Sequence, residues 1–443
     1  MNILATILIV IIFIVVVISK FKIHPFIVLL LSSVLTGFLI GLDGSELIQK
    51  INEGFGKTLS SIGIIIAFGS IVGVFLEKSG GTAKIAKVIL ELIGEKKSPL
   101  AMNLTGIFVS IPVYCDSGFV ILSSLNKALS KKTGIPLTVY AVALSTGLYV
   151  SHVFIPPTPG PLAAAAVLGA DLGLVILWGL ALAIPVAFVG YLWGKQFDTA
   201  LDIEKTDDNI STEKLPNEVN KNSLYVFLPI FVPILLISLQ SLANYPSQLF
   251  GSGILYNLLH FTGNPIVALF IGVLLASKLI TKKITVDTRL EWVSNALKEA
   301  GIIILITGAG GAFGSVLKAG NIGQVLASEL SDLQAGIFLP FLLAAILKTA
   351  QGSSTVAIIT SATIIAPLMN SLGLQDDVSR ALTVLAIGAG AMTVSHINDS
   401  YFWVVSQFSG LDTKSTLKSH TIATLLQGIT AISILSVIQF IMS

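Results

Sequence analysis

Charge is the scarcest property of this sequence. Asp, Glu, Lys and Arg make up 11% of its 443 residues, against about a quarter in an ordinary soluble domain. That is too few to cover the two or more soluble domains a chain of this length would ordinarily form. Cysteine is nearly absent: Cys115 alone excludes an internal disulfide, and no Cys/His spacing suggests a zinc site. There is no HExxH, no GxSxG and no nucleotide-binding loop, which removes the usual metalloprotease, hydrolase and ATP-driven readings. The formal net charge of +2 carries no nucleic-acid signal. A basic n-region is missing ahead of the first apolar stretch, MNILATILIVIIFIVVVISKFK, which reads as a retained helix and not a cleaved signal.

What is present is apolar length. Apolar residues make up 54% of the chain, in runs of about the 20 residues a helix needs to cross a bilayer. The pattern predicts an all-α polytopic membrane protein. Full spans are expected near residues 3–19, 24–42, 58–76, 172–194, 223–241, 263–277, 300–317 and 419–442. Four further apolar segments, 99–131, 136–170, 333–372 and 378–408, are interrupted by polar residues, Gly and Pro. Residues 195–222 are the long polar exception and read as a solvated cytoplasmic linker between two halves. The stretch 82–94, with Lys84 and Lys87 on its polar side, reads as an interfacial amphipathic helix.

The basic residues orient the chain. With both termini outside, all of the 26 Lys and Arg fall in cytoplasmic loops except Lys50, Lys57, Lys318, Lys348 and Arg380, as the positive-inside rule requires. This works only if 99–131 and 333–372 enter and leave on one side, as re-entrant hairpins. An internal repeat fits the same scheme. GVFLEKSGG (73–81) pairs with GSVLKAGNIG (314–323), IPVYCDSGFVILSS (111–124) with ILKTAQGSSTVAII (346–359), and VSH (150–152) with VSH (394–396). The three pairs keep their order and lie about 240 residues apart, the mark of a duplication. The first unit opens on a helix running inward and the second on one running outward. The expected fold therefore has two inverted-topology repeats, each with a re-entrant helical hairpin and a broken transmembrane helix, the build of many secondary transporters. The expected parts are scaffold helices in 1–57, a first repeat in 58–194, the linker at 195–222, scaffold helices in 223–299 and the second repeat with a last helix in 300–443.

Function should lie at the interruptions, because irregular backbone at membrane depth survives only where protein or a hydrated cavity satisfies it. VSHVFIPPTPGP (150–161) packs Pro156, Pro157, Pro159 and Pro161 into six residues and is expected to be an unwound, cavity-lining stretch. VSHINDSYF (394–402) is its counterpart, and the hairpin tips CDSG (115–118) and AQGSST (350–355) would close on the same cavity. Helix ends and hydroxyls in this number suit a small, polyhydroxylated anion. KTAQGSSTVAIITSA, VSHINDSYFWVVSQFSG, PVYCDSGFVILSSL and SHVFIPPTPGPLAAA resemble the gluconate permease family of proton symporters over nearly the whole chain. The resemblance implies proton-driven uptake of gluconate or a related hydroxy acid at the inner membrane. It also implies a homodimer whose transport domains move against a fixed scaffold. The family carries D-serine and other small acids too, so the substrate stays open.

Individual residues follow. Asp116 and Asp399 are ionisable groups at membrane depth, functional by default, and with His152 and His396 are the candidates for proton coupling. Each histidine reads equally as a neutral group bonded across helices. Lys348 faces either the substrate carboxylate or a neighbouring aspartate. Ser117, Ser151, Thr158, Ser353, Ser354, Thr355, Ser395 and Asn398 are the candidates for binding substrate hydroxyls, and Cys115 is only a small neighbour of Asp116. No metal and no cofactor is called for. Sodium is the rival coupling ion, through carbonyls at a broken helix with Asp116 or Asp399.

Overall fold

The computed structural model describes residues 9–10, 12–14, 16–18, 20–197, 223–244, 253–280, 284–320 and 336–442. The linker beyond Phe197 and most of the first expected span lie outside these residues. The regular structure is helical. Helices α1 (Pro25–Leu39), α2 (Gly44–Lys78) and α3 (Gly81–Ile93) lead into a hairpin of α4 (Ser98–Val109) and α5 (Cys115–Thr133). An interrupted pair follows, α6 (Leu137–Phe154) and α7 (Pro159–Leu168), then α8 (Leu172–Gly194). Helices α9 (Leu228–Ala243), α10 (Ile254–Thr262) and α11 (Pro265–Ser277) precede α12 (Val286–Ala319), and α10 and α11 meet at a bend of 67°. The order then recurs: a hairpin of α13 (Phe338–Gln351) and α14 (Ser354–Ile365), an interrupted pair α15 (Asp377–Met392) and α16 (Ser400–Ser409), and a final helix α17 (Thr413–Met442). Among the described residues five segments, the α6–α7 pair counted as one, have the length and hydropathy to cross a bilayer, and six if the bent α10–α11 pair is a single span. The protein is a multi-pass, all-α membrane protein.

The expected spans at 24–42, 223–241 and 263–277 are apolar helices of 15, 16 and 13 residues, the last joined to α10 at the bend, and two others, at 58–76 and 300–317, were under-read. α2 starts well before residue 58, because Asp43 caps it by accepting hydrogen bonds from the N–H groups of Ser45 and Glu46. α12 starts before 300 under a Thr285 cap. In both, a charged first half runs straight into the apolar half. The expected interfacial helix is α3, which buries Ile85, Ala86 and Ile89 and packs on α4.

Packing relates the two halves reciprocally. α4 lies on α6 as α13 lies on α15, and α8 flanks α6 as α17 flanks α15. The second arm of each hairpin crosses over: α5 packs on α16, and α14 packs on α7. The centre of the molecule is the first interrupted pair, whose most apolar window is wholly buried, against 28% for the window in α17. Long helices α2 and α12 cross where Gly54 backs onto Gly311 and Gly308 lies under Phe55 and Leu59. A side chain at either glycine would strike the opposite backbone or ring, so small residues set this close approach. Rising numbers on α2 meet falling numbers on α12, so the pair is antiparallel, and Gly63 at the middle faces Ile304. Polar glue joins the layers: Asn103 Nδ2 donates to Ala143 O (2.8 Å) and Ala187 O (3.2 Å), and Gln427 Nε2 to Thr146 O and Val186 O.

Candidate substrate and coupling site

Each hairpin turns for a local reason. α4 ends at Val109, and Pro112, which cannot donate a helical hydrogen bond, lies in the turn before α5. Asp116 therefore enters on the first turn of α5, at the positive end of a helix dipole. In the second hairpin Gly352 holds φ at +86°, a left-handed conformation natural to glycine, and Ser353 caps α14 by accepting from Val356 N. A Cβ on Gly352 would collide with the carbonyl oxygen of Asn398. The tip of the second hairpin thus rests directly on the second break.

Lys348 sits on the last turn of α13, fully buried, where its Nζ donates to Gly352 O and to Asp399 Oδ2, both at 2.5 Å. Asp399 caps α16 through Tyr401 N (3.1 Å) and accepts a further bond from Ser395 Oγ (2.5 Å). Asp116 lies within electrostatic reach of both Asp399 and Lys348, so the tip of the first hairpin comes near the same ion pair. Tyr149 forms one wall. Its ring lies 6.0 Å from Lys348 Nζ, 5.1 Å from the Tyr401 ring and stacked on His152 at 6.4 Å. Thr355 Oγ1 is 3.4 Å from His152 Nε2, and Ser354 lies beside the Tyr149 hydroxyl.

Several polar atoms here are buried without a hydrogen-bond partner: Asp116 Oδ1, His152 Nδ1, both amide atoms of Gln351 and Asn398 Oδ1. An unpaired buried polar atom costs about 1–3 kcal/mol. These atoms, grouped around one ion pair, make this cluster the candidate site for a polar ligand.

The expected residues divide. Asp116, Lys348, Asp399, Ser395, His152, Ser354 and Thr355 come together as described. Ser117 is half-buried beside Asp116. His396 Nε2 and Asn398 Nδ2 both bond Thr349 O (3.2 and 2.7 Å), clamping hairpin to break, with His396 outside the buried network. Ser353 is exposed and serves as a cap.

The first break needs correction. The helix runs through Ser151 and His152 to Phe154, so the first VSH is helical; only Ile155–Thr158 are unwound, and Pro159 and Pro161 sit in the first turn of α7. Ser151 Oγ donates to Ile107 O at 2.7 Å and fastens α6 to α4, and Thr158 Oγ1 donates to Ile155 O. Pro156 and Pro157 line an apolar pocket with Val72, Pro112, Pro229 and Pro233, not a polar cavity. Lacking an N–H, they leave little at this break for water to satisfy. The second VSH does lie in a break, where Val394 holds a φ of +58°. A β-branched residue in that region is strained, by about 1–3 kcal/mol.

The sequence reading missed Tyr149, Tyr401, Gln351 and His420. Both ring nitrogens of His420 are engaged, Nδ1 at 3.1 Å from Ser145 Oγ and Nε2 at 3.2 Å from Ser395 Oγ. One signal was available: Ser-His occurs a third time, at 419–420.

Paired hairpins closing on interrupted helices, with a buried ion pair and unpartnered polar groups where they meet, define a membrane transporter. Comparison with known proteins agrees in detail. Residues 1–441 match the GntP family permease group, and the chain belongs to that family; it is a permease and not an enzyme. It is similar to a gluconate permease of Pseudomonas aeruginosa, 33% identical with 94% of this chain and 92% of that protein covered. It is also 34% identical to the D-serine transporter DsdX of Escherichia coli, over 99% of this chain and 98% of the other. The crystal structure of the YdaH transporter of Alcanivorax borkumensis shares the fold, with a TM-score of 0.62 at 14% identity, covering 94% of this chain and 99% of that one.

Proposed function

We propose that this permease is a secondary active transporter that takes up gluconate or a related small hydroxy acid across the cytoplasmic membrane by proton symport. The observation that carries the reading is the group of unpartnered buried polar atoms around the Lys348–Asp399 pair. A carboxylate ligand would meet Lys348, and its hydroxyls the amides of Gln351 and Asn398 with Ser354, Thr355 and Ser117. Asp116 is the proton carrier in this scheme. Asp399 already has a lysine, a serine and a backbone N–H, whereas Asp116 keeps a buried oxygen free. With all three groups ionised the site carries one net negative charge, so an anion enters more readily once Asp116 is protonated. His152, beside Tyr149, assists that transfer.

Inverted topology of the two repeats supports the same reading. The antiparallel crossing of α2 and α12 centres on Gly63 and Ile304, which the repeat alignment makes counterparts. α6 and α15 cross antiparallel as well, Tyr149 meeting Ala391 while Val153 meets Gly388, around the counterparts Leu148 and Met392. Residues 58–194 and 300–443 then form the repeats, the remaining helices the scaffold of a homodimer, and both termini face outward. A second reading, D-serine or another small acid as substrate, is favoured by the similarity to DsdX over almost the full length of both chains.

The test is uptake of radiolabelled gluconate and of D-serine by purified protein in liposomes, with an inward proton gradient and no sodium, then with sodium and no proton gradient. Accumulation of gluconate on the proton gradient alone is expected. Asp116→Asn should lose that accumulation yet keep substrate exchange. Accumulation on sodium alone would overturn the proton assignment, and accumulation of D-serine alone would overturn the sugar acid.

A further inference from the structure

The second break is held from outside itself. Ser395 N–H donates to Thr424 Oγ1 at 3.0 Å, Ser395 O accepts from Thr421 Oγ1 at 2.5 Å, and Ser395 Oγ meets His420 Nε2 at 3.2 Å. All three partners lie on α17, where Leu417–Thr421 form a π turn, an irregularity found frequently at functional sites. His420 is fully buried and reaches Ser145 on α6 with its other nitrogen. It therefore ties the second break to the central helix of the first half.

The hydrogen positions follow from the partners. Ser395 Oγ gives its hydrogen to Asp399 Oδ2, so toward His420 it can only accept, and the imidazole carries its proton on Nε2. Nδ1 is then the acceptor, and Ser145 Oγ, which also lies 3.2 Å from Val142 O, shares its one hydrogen between that carbonyl and Nδ1. A directed chain results, running from Ser145 through His420 and Ser395 and ending at Asp399, whose Oδ2 also accepts from Lys348 Nζ. Adjacent Val394 is strained, and strained backbone persists only where its surroundings over-determine it. The α17 contacts to Ser395 supply that constraint.

We propose that His420 is a positioning residue for transport. Through the Ser395 hydroxyl it fixes the Asp399 carboxylate, and with it the Lys348 ammonium, in the arrangement that receives the carried anion. The inference rests on reading this cluster as the substrate site. A His that merely packs α17 against α6 would not act through Ser395, and this separates the two roles.

The experiment is a double-mutant cycle in liposomes, measuring KM and maximal rate for labelled gluconate and D-serine. His420→Ala and Ser395→Ala are each expected to raise KM about tenfold, and the double variant should be no worse than either single one. His420→Gln, whose amide can donate to Ser395 as Nε2–H does, should stay within about twofold of the unmodified protein. Additive losses in the double variant, or an unchanged KM in His420→Ala, would overturn the proposal. Should His420→Ala not be recovered folded, the remaining pair decides. A near-normal Gln variant beside an impaired Ser395→Ala supports positioning, and an impaired Gln variant beside a normal Ser395→Ala refutes it. If the unmodified protein carries neither acid, the transport reading itself fails, and that outcome is read before any variant is made.

Discussion

Replacing Lys348 by Met removes one member of a buried ion pair while keeping the apolar stem of the side chain. Lys348 and Asp399 have side-chain exposures of 1% and 5%, so water cannot replace the lost partner. Breaking such a pair from one side typically costs about 3–5 kcal/mol, because the remaining charge is left buried and uncompensated. Asp399 would keep its bonds from Ser395 Oγ and Tyr401 N, which places the expected loss near the lower end, about 3 kcal/mol. Neutralising the second partner removes that penalty. Lys348→Met combined with Asp399→Asn should therefore recover most of the stability lost by Lys348→Met alone, while transport stays absent in both. Thermal inactivation of detergent-solubilised protein, followed by monodispersity on size exclusion, measures the first effect, and liposome uptake the second. A single variant as stable as the unmodified protein, or a double variant no better than the single, would show that the pair is not the isolated buried couple described. Retained transport in the double variant would remove Lys348 from substrate binding.

Other substitutions test the architecture. Gly352→Ala combines a left-handed φ with a collision against Asn398 O; the φ alone costs about 1–2 kcal/mol. It should disable uptake, and if uptake persists the hairpin tip does not rest on the break during transport. Ser151→Ala breaks only the bond to Ile107 O and should cost about 0.6 kcal/mol with KM unchanged; a large rise in KM would return Ser151 to the binding site. Gly311→Val meets Thr58 and Gly54 and should sharply lower the amount of folded protein in the membrane, measured by a fluorescent fusion. Asp412 caps α17, and bonds from the Ser415 hydroxyl and N–H hold its carboxyl below the usual aspartate range. Its stabilising effect is therefore full above about pH 4 and is lost as pH falls through the lowered value. Protection of the amides at residues 412–416, taken relative to the intrinsic exchange rate at each pH, should fall in acid, and Asp412→Asn should flatten that dependence.

What could be read from the sequence was whatever composition and covalent chemistry enforce. α8 was legible at both ends because its apolar run stops at Gly194 and Lys195. Three of the interruptions were legible because Pro and Gly are local signals, and the fourth, at 394–400, because His396, Asn398, Asp399 and Ser400 put polar residues into an apolar run. The true starts of α2 and α12 were not, since their first turns are polar and only the caps at Asp43 and Thr285 mark them. The same limit governs the site. Asp116, Lys348 and Asp399 stood out because ionisable residues are rare in apolar segments. Ser151 and Ser395 share a motif, yet one is helical and bonded to Ile107 while the other lies in a break; only tertiary partners distinguish them. His420 follows a charged turn and gains its meaning from Ser145 and Ser395, both far away in sequence.

The two interruptions are made of different materials. The first is written into covalent structure by Pro156, Pro157, Pro159 and Pro161, and no solvent condition can undo a pyrrolidine ring. The second is a hydrogen-bonded assembly, kept in place by Thr421, Thr424 and His420 from another helix. Heat, altered lipid or a single conservative substitution therefore acts more readily on the second break than on the first. The molecule has a stiff jaw and a tunable one, and adjustment to a new ligand has its easiest route through the residues around Ser395.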